Sequence, residues 1–164
     1  MKQSELDKVL QQHKLWLDSD GEQGEHANLD DAQLDGADLK GANLFDASMM
    51  GVQLNGADLR GANLGKTDLR EAYLMGAIME KADLTDAYLW RANLEDANLK
   101  GANLTRANLE EAVLIDADLS GAKLEGAKLE DAKLDGAIGL KESAAFRKRK
   151  LLEARIRRAI KRVL

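Results

Sequence analysis

The residues best suited to chemistry are two histidines, His13 and His26, two serines well inside the chain, Ser48 and Ser120, and a large stock of carboxylates, 29 Asp and Glu against 24 Lys and Arg. Nucleophilic catalysis needs a Cys, or a Ser beside a His that takes its proton. The chain has no Cys, and both histidines fall within the first 26 residues, away from either serine in sequence. Without Cys there is also no disulfide framework and no thiolate metal site. Carboxylates do acid–base work only where a dry pocket drives their pKa values apart, and rows on an exposed surface supply none. Glycines such as Gly36, Gly56 and Gly76 recur singly, not in a phosphate-loop spacing. The chain is therefore expected to be no enzyme, with no cofactor, no metal and no small-molecule substrate.

The elements that position these residues must fit 164 residues, enough for one domain and an appendage. The longest apolar runs are short, as in Tyr73-Leu74-Met75, and the first residues are polar and charged. Neither a membrane span nor a secretory signal is expected, and a cytoplasmic location follows as the default.

One internal repeat dominates. Ala recurs every five residues from Ala27 to Ala137, interrupted only by Val52 and Thr67. Two places after each stands Leu, from Leu29 to Leu134, replaced only by Met49 and Met79. Between them lies mostly Asn or Asp, as in Ala42-Asn43-Leu44. On a helix, each step of five rotates the Leu by roughly 140°, so no apolar stripe survives. On a flat strand, an odd step sends successive Leu to opposite faces. The conflict disappears if the chain turns a corner in each quintet. Ala and Leu, two apart on a short extended segment, then face one interior, and Asn, Asp and Gly are expected to accommodate the corners.

This pattern resembles the pentapeptide-repeat family, whose motif is A-(D/N)-L-x-x, over Ala27 to about Gly139. The resemblance implies an all-β solenoid, a right-handed quadrilateral β-helix in which four quintets close one turn. Residues 27–139 would make roughly 5.6 turns, a rod of about 27 Å at about 4.8 Å per layer. The matching Leu and Ala would point inward and the other three residues of each repeat would face water.

Open ends of a β-helix invite edge pairing unless covered. Residues 1–26 are expected to supply a capping helix over 4–18, with Ser4 as N-cap and Asp7 three residues on. Leu6, Val9, Leu10, His13, Trp16 and Leu17 give its apolar stripe, and Gly21 and Gly24 end it. His13 reads as a packed or hydrogen-bonded cap residue, since no ligand cluster accompanies it. Residues 140–164 read as a second, basic amphipathic helix, with Phe146, Leu152, Ile156, Ile160 and Val163 on its apolar face. Lys and Arg minus Asp and Glu give −3 for residues 1–26, −10 for 27–139 and +8 for 140–164. Such a tail could cap the rod, form a homodimer through its apolar residues, or attach to an anionic membrane or nucleic acid.

With four repeats per turn, residues twenty apart stand above one another. Tyr88 and Trp90 then lie mid-face beside Arg91, and Tyr73 and Met75 lie round a corner with Val113 and Ile115. The interior is already filled by Leu and Ala, so these side chains are expected outside it. Clustered exposed apolar groups mark interaction sites. Tyr73, Met75, Tyr88, Trp90 and Arg91 are the candidate surface for an unidentified protein partner. The alternative is mimicry of DNA toward a type II topoisomerase, which the family resemblance implies for some members and the acidic rod allows.

Overall fold

The computed structural model describes residues 1–140; the expected second helix and Phe146, Leu152, Ile156, Ile160 and Val163 lie outside the described residues. One helix, α1 (Gln3–Asp18), precedes a stack of coils built from isolated parallel bridges, each joining residues twenty apart. Four such ladders run along the stack. They are those of Asn28, Gln33, Asp38 and Asn43, each continued through the residues 20, 40 and 60 places further on.

The quintet 97–101 shows why the motif takes these letters, because each of its five backbone N–H groups has a partner. The N–H of Ala97 closes a tight turn on the carbonyl of Leu94 at 3.1 Å. That of Asn98 donates to the preceding coil, at Ala77, and that of Leu99 to the following coil, at Asp118. The Gly101 N–H donates onward to Ser120. The Lys100 N–H would be left over, and the side-chain oxygen of Asn98 accepts it at 3.2 Å. Buried or half-buried amides without partners are costly, so this accounting fixes the turn. Asn, Asp and Gly were expected to accommodate the corners, and Asp and Gly take many of them, Asp31, Asp46 and Gly56 among others. The Asn or Asp between Ala and Leu stands on the flat bridged segment, where its side chain reaches two residues on to satisfy a backbone amide.

The corner itself falls on the residue before Ala, which has a left-handed φ in every quintet. Glycine takes that place at many corners, but Lys66, Glu71, Lys81, Arg91 and Arg106 adopt φ of 56–59° there as well. Their amides donate to the next coil, as Lys81 does to Lys100 at 2.9 Å, and that lattice outweighs the roughly 1–2 kcal/mol cost of a left-handed side chain.

Leu and Ala fill the interior. Leu84, Ala87 and Leu89 have no exposed surface, nor do the substitutes Met49, Met79, Val52 and Thr67. The one hydroxyl this brings inside, Thr67 Oγ1, donates to the carbonyl of Leu44 at 2.7 Å, so the swap leaves no unsatisfied polar group.

α1 closes the first coil. Leu6 and His13 are fully buried, and Val9 and Leu10 pack against the core. The cap residue is Lys2, not Ser4, which lies in the first turn: Glu5 accepts the Lys2 N–H at 3.0 Å, so an acidic residue of the first turn supplies the acceptor. The Gln3 carboxamide receives the Asp38 N–H at 3.4 Å and donates to the Asp38 carbonyl at 3.2 Å. It stands where a further coil would have put a peptide group, and so blunts the edge. At Gly24, φ is +73°, and a Cβ would sit 2.2 Å from the Gln12 carbonyl oxygen. Only glycine lets the chain double back this closely on the helix.

Candidate partner-binding surface

Tyr73 belongs to the Gln33 ladder and Tyr88 to the Asn28 ladder, and the corner between these two ladders carries Trp90 and Arg91. Ladder positions point outward, so both phenols stand clear of the core. Tyr88 is 51% exposed, Tyr73 47% and Met75 46%.

Trp90, expected exposed with the two tyrosines, is instead partly buried. The Arg91 guanidinium lies over the indole, 4.1 Å from the ring centre. Arg91 Nε also donates to Glu111 Oε2 at 2.7 Å, and Trp90 Nε1 donates to Glu111 Oε1 at 3.3 Å. One carboxylate therefore holds both members of the stacked pair, and the Arg91 side chain beside it lowers the Glu111 pKa. The arrangement is an aromatic ridge with a cation stacked on it.

Shallow hollows flank the ridge. One, of about 460 Å³, is lined by His26, Asp46, Ala47, Ser48, Lys66, Asp68, Arg70 and Tyr88. The other, of about 280 Å³, is lined by Glu71, Ala72, Tyr73, Arg91 and Asn93. The structure thus divides the candidate residues: Tyr88 serves one hollow, Tyr73 and Arg91 the other, and Trp90 stands at the corner between the two ladders. Met75 lines neither. Asp46 and Lys66 were not singled out in sequence. The signal for them is the step of twenty, which places Ser48, Asp68 and Tyr88 in one ladder and stacks Lys66 over Asp46.

The first hollow brings a histidine and a serine together, which sequence distance argued against. Their hydrogen bonds point elsewhere. His26 Nε2 pairs with the carbonyl of Asp46 at 2.7 Å, and Ser48 Oγ donates to Asp30 Oδ1 at 2.8 Å. His13 is sealed in the cap, with Nδ1 accepting the Ala27 N–H at 3.1 Å and Nε2 bonded to the Phe45 carbonyl at 3.0 Å. Its burial lowers its pKa. A Ser with no imidazole on its hydroxyl lacks the base that nucleophilic chemistry requires. Among the described residues no group of His, Asp and Glu is arranged to hold a metal ion.

Many rod cations are spent on neighbours. Arg60 binds Asp58 and brings its pKa down to about 2, Arg70 binds Asp68 at 2.6 Å, and Lys100 binds Asp118 at 3.0 Å. Around Tyr73 and Met75 the carboxylates of Glu71, Glu95, Asp96 and Asp116 have no such partner among the described residues.

The profile of the family described as Pentapeptide repeats matches residues 27–65, 53–91 and 92–131, in eight copies. Among solved structures, the chain is similar to HetL, a pentapeptide repeat protein involved in heterocyst differentiation regulation from the cyanobacterium Nostoc. Identity is 37%, over 70% of this chain and 62% of that one, with a TM-score of 0.42. It is similar to Rfr23 from the cyanobacterium Cyanothece 51142, with 35% identity, 62% and 63% coverage and a TM-score of 0.38. A pentapeptide repeat protein of the Arabidopsis thaliana thylakoid lumen shares 28% identity, over 64% and 63% of the two chains, with a TM-score of 0.38. The chain spans less than two thirds of the length of each of these proteins. No curated protein matches it.

Proposed function

The chain belongs to the pentapeptide-repeat family, and on that premise we propose that this right-handed β-helix solenoid is a non-enzymatic scaffold that binds a protein partner through the ridge and hollows around Trp90. The finer geometry of that proposal is a four-sided rod of about 5.6 turns, acting in the cytoplasm. The observation that carries it is the exposure of Tyr73, Tyr88 and Met75 beside the Trp90–Arg91 stack, on a fold whose core is complete without them. Rigid aromatic groups with a neighbouring Arg are the side chains that anchor protein interfaces, because they bury large area at little cost in rotamer freedom. The test is a photo-crosslinker placed at Tyr88 and, separately, at Lys123 on another ladder. A partner adduct formed from position 88 alone, and lost with Trp90→Ala, supports the reading. Equal adducts from both sites, or an adduct indifferent to Trp90→Ala, overturn it.

A second reading, a duplex-like decoy for a type II topoisomerase, has one observation behind it: residues 27–139 carry 21 carboxylates and 11 cations. A cationic DNA groove responds to such a charge pattern. Supercoiling by purified gyrase, unaffected at micromolar protein, removes this reading. Attachment through the basic tail, with its excess of eight cations, predicts salt-sensitive binding to anionic liposomes or DNA. Among the described residues no helix is long and apolar enough to cross a membrane.

A further inference from the structure

The Gln33 ladder differs from the other three in charge. Its members are Gln33, Gln53, Tyr73, Asn93, Val113 and Lys133, and it alone has no carboxylate; the Asn28, Asp38 and Asn43 ladders contain Asp68, Asp58 and Asp83 among others. Of its members only Asn93 accepts the corner amide two residues on. For Gln53 and Tyr73 that amide is instead taken from the coil before, Asn55 N–H by Asp35 at 2.8 Å and Met75 N–H by Asn55 at 3.0 Å. Along this face exposed Tyr73 and Met75 are followed one coil on by Asn93 and Glu95, and two coils on by half-buried Val113 and Ile115. Glu95 stands between Met75 and Ile115, and Glu71, Asp96 and Asp116 stand at the adjoining corners, all carboxylates without an ion-pair partner among the described residues.

Exposed apolar side chains interspersed with carboxylates that have no ion-pair partner among the described residues fit a segment with apolar side chains flanked by cations. The chain has one. Residues 141–164 hold ten Lys and Arg, two Glu, and the apolar side chains of Phe146, Leu152, Ile156, Ile160 and Val163. The segment begins directly after Leu140, which is buried at the end of the coils, and its 24 residues can extend up to about 36 Å even if fully helical. That exceeds the stack's length of about 27 Å at 4.8 Å per layer. Tethering gives it a millimolar effective concentration at a neighbouring face. We infer that residues 141–164 of this chain dock on the Gln33 ladder, covering Tyr73 and Met75 until a partner displaces them. This rests on the proposal that the Tyr73 side of the ridge is a partner surface, and adds a regulation to it.

The chain has no Cys, so spin labels can be placed in the full chain without other changes. The pair Gln53→Cys with Ala154→Cys reports the docked state, and Lys123→Cys with Ala154→Cys is the control on a different ladder. Docking gives one narrow distance to position 53, shorter than that to 123 by about 10 Å, the thickness of a packed layer. It is unchanged on tenfold dilution and lengthens with Met75→Glu and in 1 M salt, where the Debye length falls to about 3 Å. Similar distances to 53 and 123, or insensitivity to both Met75→Glu and salt, overturn the inference. A distance that disappears on dilution overturns it in favour of a second copy's tail. If docking fails while the adduct from position 88 still depends on Trp90, the partner surface stands and only its cover is lost.

Discussion

The Ala27 N–H donates to Nδ1 of His13 at 3.1 Å, which fixes the imidazole as the tautomer with its proton on Nε2, directed at the Phe45 carbonyl. The ring is fully buried, stacked on Trp16 at 5.8 Å and met edge-on by His26 at 5.4 Å. It joins the helical cap to both ends of the first coil. Protonation of Nδ1 would remove the acceptor that Ala27 uses.

Acid should therefore loosen the cap before it harms the rod. Burial holds the His13 pKa below its ordinary 6.5, so the unfolded chain takes up the proton first. The stabilisation is complete above about pH 6.5 and declines as pH falls through the folded value. Amide protection factors at Leu6, Val9 and Ala27 should fall as the pH drops from 7.5 to 5 while those at Leu84 and Leu89 hold. His13→Gln should flatten this response. Uniform exchange along the chain would contradict it.

Leu84→Ala should cost about 3 kcal/mol, since a fully buried side chain is removed from a stack with layers above and below. Thr85→Ala, one residue along, is not silent: its hydroxyl donates to Asp83 at 2.6 Å and accepts from Asn103 at 2.8 Å. Loss of those bonds costs about 1 kcal/mol. Urea denaturation orders the two variants, and equal midpoints would refute the inward assignment of Leu.

The left-handed corner separates backbone strain from packing. At Gly56, φ is +65° and no atom lies within 4 Å of an added Cβ. Gly56→Ala should then cost about 1 kcal/mol from conformation alone. Lys81, at φ +56°, offers the reverse experiment. Lys81→Gly relieves strain but loosens the unfolded chain, for a net gain below about 1 kcal/mol. If Lys81→Gly destabilised as much as Gly56→Ala, the strain at this corner would be negligible.

Arg91→Ala should uncover the Trp90 indole. Removing the guanidinium from 4.1 Å above the ring, in a Trp16→Phe background, should shift the emission to the red and raise quenching by acrylamide. The stability change should stay near 0.5–1 kcal/mol, the scale of an exposed cation–π contact. Unchanged emission would mean that the stack does not persist in solution.

The five-residue rhythm carried the interior, because each Ala and Leu is specified by its neighbours two and five residues away, and such local spacing survives in any register. The same rhythm put Tyr73, Tyr88 and Trp90 outside. It could not say what the outer residues touch. That Glu111 holds Trp90 and Arg91 together and that His26 joins Ser48 around one hollow depend on contacts between coils. Those contacts join residues about twenty apart, and only the closed backbone brings them within hydrogen-bond reach. The Gln33 ladder makes the point: its lack of carboxylates is scattered through the sequence one residue in twenty, and becomes a feature of one face only when the coils are stacked.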